Sequence, residues 1–326
     1  MSYYTVYDAD GKASNFKSKG ASITLTAKQC AIDMRNATGI ANINVNANPN
    51  ALIFANSDTD IKGNNIVKDM KGENIVLTDG YPFFNPFDFE ARQVTYTRMP
   101  DIYCKTVQGN TTGWSTLTLP FAATGCQTEK STLNWATKTA YGHLWVAEFS
   151  QENGNMMTFD YPGATLDAYR PYLFGVPGKS FGESSLEGEA ITFYALNAVM
   201  PASGKAVTTI DLYKMVGTVG GVADKADIYL LNAEGTAFVR STASASPFRA
   251  YFAPTSPMAQ DTQLDFIIVD NTTGIRNVNG NENENGNADW YDLQGRRVSH
   301  SPSSLQPSRS TLKKGIYIVN GKKVIR

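Results

Sequence analysis

The sequence predicts an all-β protein: an antiparallel β-sandwich, preceded by a short N-terminal mixed segment and followed by a small C-terminal β module. Three observations lead there. Apolar and polar residues alternate over short runs, the two-residue period that sets one face of a strand against a core. Gly, Pro, Asn and Asp separate those runs at turn spacing. Only one segment carries helical spacing.

That segment lies in the first 79 residues, which read as the end of a repeat or solenoid. Between Thr26 and Arg35, Ala27, Ala31 and Met34 share a helical face, Thr24 or Thr26 can cap it, and Gly39 stops it, so a helix is expected. Two apolar runs follow, Leu52-Ile53-Phe54 and Ile66-Val67, fenced by Asn, Asp and Gly. Close-set strands with Asn-rich corners suit a solenoid cap or β-helix end, although no repeat period can be measured.

Residues 80–271 read as the sandwich. Just before them Ile75-Val76-Leu77 runs into Asp79-Gly80, a hairpin signal. The stretch 91–98 alternates, with Val94 and Tyr96 directed opposite to Thr95 and Thr97. In 113–121, Trp114, Thr116 and Thr118 take one face and Leu117 and Leu119 the other, and Pro120 ends the strand. Further strands are expected over 144–149, 156–161, 172–176, 190–196, 211–216, 228–232, 237–239, 248–252 and 264–269, the spacing of an antiparallel sandwich. Residues 272–288 form an Asn-rich, apolar-free linker, and 289–326 hold two short strands with tight-turn chemistry in Asp292-Leu293-Gln294-Gly295 and Asn320-Gly321.

Composition narrows the function. The chain has 326 residues, 42% hydrophobic and 18% charged, so it is globular with a surface of Thr, Ser, Asn and Gly. Twenty-nine basic and thirty acidic residues nearly balance, and no basic stripe offers a seat for nucleic acid. No apolar run is long enough for a membrane-spanning helix. Cys30, Cys104 and Cys126 are too scattered for a disulfide framework or zinc cluster; Cys104 and Cys126 could pair on neighbouring strands, but core or edge thiols are expected. The start, Met1 to Asp8, lacks the basic and apolar regions of a signal peptide, so a longer N-terminal part is expected upstream.

The tail carries a resemblance. Tyr291, Asp292, Leu293, Gly295, Arg296 and Val298, followed by Leu312, Gly315, Ile316, Tyr317, Ile318, Lys322 and Lys323, resemble the C-terminal sorting domain of proteins exported by the type IX (Por) secretion system of Bacteroidetes. The resemblance implies a secreted protein or one at the outer-membrane surface, and export or anchoring machinery as partner. Blocks in the body, 77–83, Tyr96-Thr97-Arg98, 113–121 and 247–252, also resemble blocks of Bacteroidetes surface proteins. No established activity accompanies them.

Candidate sites stand beside simpler readings. His143, between Tyr141 and Trp145, is the one realistic histidine base, since His300 sits in the tail loop; a rim or structural role is expected. Neither Gly-x-Ser-x-Gly nor His-Glu-x-x-His occurs. Paired carboxylates acting on glycosides stay open, but no acid stands out in an aromatic setting. Gly178-Lys179-Ser180 lacks the leading glycine of a phosphate loop and reads as a turn. Asn281, Asn283, Asn285, Gly286 and Asp292 imitate a calcium loop but lack its charge and flanking helices.

Aromatics are plentiful, 16 Phe, 16 Tyr and 4 Trp. Trp114, Trp135, Tyr141 and Trp145 would stack on sugars if exposed and coplanar, or fill the core between sheets. The sequence therefore points to a non-catalytic adhesion or display protein with no cofactor or metal. The alternative is a carbohydrate-binding module built on those four aromatics. Glycans or host surface proteins are the further partners expected.

Overall fold

The structure is a computed structural model that describes residues 2–107, 110–204, 207–209, 212–222, 227–256, 261–269, 290–291, 316–319 and 322–325. It is all-β. The first strands are β1 (Tyr3–Asp8), β2 (Ala13–Lys17), β3 (Ser22–Thr24), β4 (Gln29–Asp33), β5 (Asn42–Asn44), β6 (Leu52–Ala55), β7 (Ile66–Lys68) and β8 (Lys71–Thr78). Next come β9 (Phe89–Arg98), β10 (Lys105–Val107), β11 (Asn110–Thr112), β12 (Ser115–Thr118), β13 (Gly125–Gln127) and β14 (Thr132–Leu133). β15 (Trp145–Asn153), β16 (Met156–Asp160) and β17 (Pro171–Gly175) precede a 3-10 turn, Lys179–Ser184. After it run β18 (Ile191–Met200), β19 (Val207–Thr209), β20 (Tyr213–Thr218), β21 (Ile228–Leu231), β22 (Ala237–Ser241), β23 (Arg249–Pro254) and β24 (Gln263–Val269). Last are β25 (Trp290–Tyr291), β26 (Ile316–Val319) and β27 (Lys322–Ile325).

Two ten-stranded sheets make the body. One runs β14-β13-β18-β9-β8-β7-β6-β4-β1-β2, the other β12-β17-β15-β16-β24-β22-β21-β23-β20-β19. Because β8 and β9 pair in one sheet, the segment before residue 79 shares that sheet with strands of the sandwich region.

The N-terminal segment departs from the expected helix. Residues 29–33 are a strand, and Cys30, Ala31 and Ile32 are all fully buried. Successive side chains of a strand point to opposite faces, so Ala31 enters one core and Ile32 another. A helix in this place would expose part of that run. The strand stacks in parallel on the next turn of chain: Ile23 pairs with Ile43 and Ile32 with Ile53, a rung interval of about twenty residues.

Buried asparagines stitch these rungs to β8. Asn50 donates to the carbonyls of Thr78 and Tyr81 and accepts from the Thr78 N–H at 2.7 Å. Asn65 does the same for Pro49, Val76 and the Val76 N–H. Asn48 donates to Gln29 and Pro82. Each amide satisfies corner groups that no ladder reaches.

Asp79-Gly80 closes no hairpin. β8 and β9 are parallel, so the chain must leave the sheet and return; Phe83 is fully buried on the way and its N–H donates to Val219. Within β8, β9 and β18 the buried face steps by three, from Gly72 to Ile75, Ala91 to Val94 and Ala195 to Ala198. The register skips Glu73, Arg92 and Asn197 at that row, and Asn197 is left-handed with φ 49°. The bend keeps both halves of the strands turned towards one core.

The second sheet doubles over on itself. β12 comes to lie along β23, where the Thr116 hydroxyl donates to the Ala250 carbonyl at 3.1 Å and accepts from its N–H at 2.9 Å. Thr118 donates from its hydroxyl to Arg249. Inside the fold sit Phe149, Phe159, Tyr213, Tyr229, Phe238 and Phe252. β12 alternates as expected: Trp114 belongs to this inner core, Leu117 and Leu119 to the core shared with the first sheet. The β12-β17-β15 leaf is thus buried on both faces, which makes three layers.

An ionic joint ties the first sheet to the doubled one. Asp79 accepts from the Tyr96 hydroxyl at 2.6 Å and from both terminal nitrogens of Arg249 at 2.8 and 2.9 Å. Arg98, 1% exposed, lies 3.7 Å from Asp79 and donates to the Thr116 carbonyl and to Asp101. Its guanidinium sits over the Phe174 ring, and Phe248 packs tilted on Tyr96 at 4.6 Å. Burial by itself would raise the Asp79 pKa, but Arg249, Tyr96 and Arg98 outweigh it and hold the carboxyl below its ordinary range.

A depressed folded-state pKa contributes stability that is present above about pH 4 and lost as pH falls through the folded value. Asp79→Ala is predicted to cost about 3–5 kcal/mol at neutral pH, because it leaves two buried guanidinium groups short of a counter-charge. In urea titrations the gap between wild type and Asp79→Asn should be constant near neutrality and narrow in acid. A pH-independent gap would contradict the assignment.

Candidate functional site

The tail residues that carry the sorting resemblance are described only as paired backbone. Trp290 pairs with Val319, Tyr291 with Ile318, and Ile316-Tyr317-Ile318 with the strand that holds Lys322 and Lys323. Val319 pairs with Lys322, so the ladder brackets Asn320-Gly321, where the sequence places a tight hairpin. β25, β26 and β27 form a three-stranded sheet of their own. Asp292, Leu293, Gly295, Arg296, Val298, Leu312 and Gly315 lie outside the described residues, as do His300, the linker and the calcium-loop imitation at 281–292.

The four aromatics proposed as a sugar platform are not coplanar or together. Trp135 is 4% exposed, belongs to the core between the sheets and donates its indole N–H to Gly163 at 3.0 Å. Trp114 is 5% exposed in the other core, with its indole N–H on Thr111. Trp145 is half-buried beside it, tilted 54° from Trp114 and packed on Phe181. Tyr141 alone is open, 83% exposed, with its carbonyl accepting from Asn134. Large rings at strand spacing fill cores as readily as they line surfaces, and three of these four do.

His143 is exposed at the surface, its Nδ1 bonded to the Asn134 side chain. Among the described residues its ring bonds only to Asn134. All three cysteines are free and buried, and burial pushes each thiol up to about 12. Cys104 donates to the Gly113 carbonyl at 3.5 Å; neither it nor Cys126 is in a disulfide. Gly178-Lys179-Ser180 leads into the 3-10 turn, where Lys179 pairs with Glu187. Among the described residues no group of three His, Cys, Asp or Glu side chains is placed to hold a metal ion. No helix among them is long and apolar enough to cross a membrane.

Sequence reasoning missed the residues with the strongest mutual geometry. Asp79, Tyr96, Arg98, Thr116, Phe248 and Arg249 come from four separated stretches and meet at the joint. Those stretches coincide with the four body blocks named in the sequence, 77–83, 96–98, 113–121 and 247–252, and the structure brings them together in one ionic contact.

The cores can be read out directly. Trp135→Ala should destabilise the protein by about 3–5 kcal/mol in urea unfolding, the cost of emptying a buried indole site. Tyr141→Ala should stay within about 0.5 kcal/mol. Equal, small effects would contradict the placement of Trp135 inside.

No protein-family model, no curated protein and no solved structure matches the chain.

Proposed function

We propose that this is a non-catalytic protein of the Bacteroidetes cell envelope, secreted or held at the outer-membrane surface. Residues 289–326 would act as a sorting or anchoring module, and the body as a scaffold for adhesion or display. The observation that carries the reading is the ordered pair of tail blocks: Tyr291-Asp292-Leu293 with Gly295-Arg296 and Val298, then Leu312 with Gly315-Ile316-Tyr317-Ile318 and Lys322-Lys323. The tail strands pair with one another and with neither large sheet among the described residues, which suits a module recognised separately from its cargo. An uncharged polar coat on a β-rich body suits extracellular life. The partner is the export or anchoring machinery, with glycans or host surface proteins on the body side.

Deletion tests it. A chain that lacks residues 289–326, expressed in a type IX-competent Bacteroidetes host, should lose about tenfold or more of its protease-accessible surface population. Its purified body should melt at the wild-type temperature, which separates mislocalisation from misfolding. Full surface delivery of the shortened chain would overturn the reading.

A further inference from the structure

A sheet that ends in water leaves its last strand with a row of unpaired backbone donors and acceptors, which proteins guard with charge, proline, a bulge or a covering loop. The far edge of the first sheet, β14, is two residues long, and β12 of the second is closed on β23 through Thr116. β2, five residues from Ala13 to Lys17, is the longest free edge strand among the described residues. It holds no proline, its ladder with β1 runs without a shift in register, and its single charge, Lys17, sits at the end. Ala13, Asn15, Phe16 and Lys17 are all exposed.

The ladder fixes which groups are open. Ser18 donates its N–H to the Ser2 carbonyl and Asp8 donates to Lys12, each at 3.1 Å. Antiparallel ladders alternate, so the even-numbered residues of β2 turn their backbone groups to β1, while Ala13, Asn15 and Lys17 turn theirs outward. Asn15 is the midpoint of that row. A second β2 laid antiparallel about Asn15 therefore meets an identical row in register. Asn15 falls on Asn15 of the other copy, and Ala13 on Lys17, for about six backbone hydrogen bonds in all. No charge then faces a like charge.

The side chains suit the same two-fold. Phe16 pairs with Tyr4 across the ladder and stacks on its ring at 5.3 Å, on the face that carries Val6 into the N-terminal core. The Phe16 ring is nevertheless 42% exposed, because the sheet ends there. About the Asn15 axis the two Phe16 rings become diagonal neighbours, a separation that aromatic side chains can span. The Tyr4–Phe16 stack would then continue across the junction and shield both rings.

We propose that β2 is the surface through which two copies of this chain pair, edge to edge, so that their first sheets become one. The contact is isologous: each copy offers the same strand, and once paired neither has that edge left, so assembly stops at the dimer. A five-residue edge buries less than the about 1,200 Å² of a standard interface, which makes the dimer weak, with a dissociation constant in the micromolar range or above. No residue of 289–326 takes part, so the pairing holds or fails whether or not the tail directs export.

Sedimentation velocity of the full chain from about 1 to 500 μM tests it, and the chain should pass from monomer to dimer across that range. Asn15→Pro removes an outward N–H and leaves the ladder to β1 intact; it should weaken pairing about tenfold or more with unchanged circular dichroism. Phe16→Glu, which sets two like charges on the diagonal, should do the same. Asn15→Cys should give a covalent dimer under mild oxidation and Tyr141→Cys should not, against a background of three buried native thiols. A monomer at every concentration overturns the proposal. So does a dimer that survives both Asn15→Pro and Phe16→Glu, or one that removal of residues 289–326 abolishes.

Discussion

Two guanidinium groups pressed between sheets would each cost several kcal/mol if left unpaired, and Asp79 is what meets them. The carboxylate sits at the end of β8, where the chain must leave the sheet because β9 returns parallel. It faces Arg98 from the first sheet and Arg249 from the doubled one, and Tyr96 supplies a hydroxyl to the remaining lone pair. Arg98 has a second duty: it holds the Thr116 carbonyl, and Thr116 closes the doubled sheet on Ala250. The relative placement of the layers therefore rests on a directional contact as well as on apolar packing. Packing alone tolerates sliding between sheets; a bidentate ion pair in a buried setting does not.

The body's strands were legible because alternation and turn residues are local signals. Each of the nine later strands foreseen between residues 144 and 269 has its counterpart, and Leu117 and Leu119 face away from Trp114 as their spacing implies. The N-terminal segment was less legible. Ala27, Ala31 and Met34 fit a helix by spacing, while the parallel partner that makes 29–33 a strand lies at 52–54. The rung interval stayed hidden because the pairings of Ile23 and Ile32 differ in offset by one residue.

Site reasoning ran into the same limit. Trp114 and Trp135 could not be assigned to surface or core from composition, since burial depends on which sheet crosses over them. Asp79-Gly80 carries the chemistry of a hairpin, but Asp79 is engaged by residues far away in sequence, and long-range partners override local turn preference.

The functional account separates a body whose contacts are interlocked from a tail that pairs only with itself among the described residues. Its central claim is that the tail is an address readable apart from its cargo. Grafting residues 289–326 onto an inert periplasmic reporter in a type IX-competent Bacteroidetes cell tests this most directly. The account predicts that the grafted reporter becomes protease-accessible at the cell surface, and that this fails in cells without the secretion machine. A reporter that stays periplasmic, while the intact chain reaches the surface of the same cells, would contradict it.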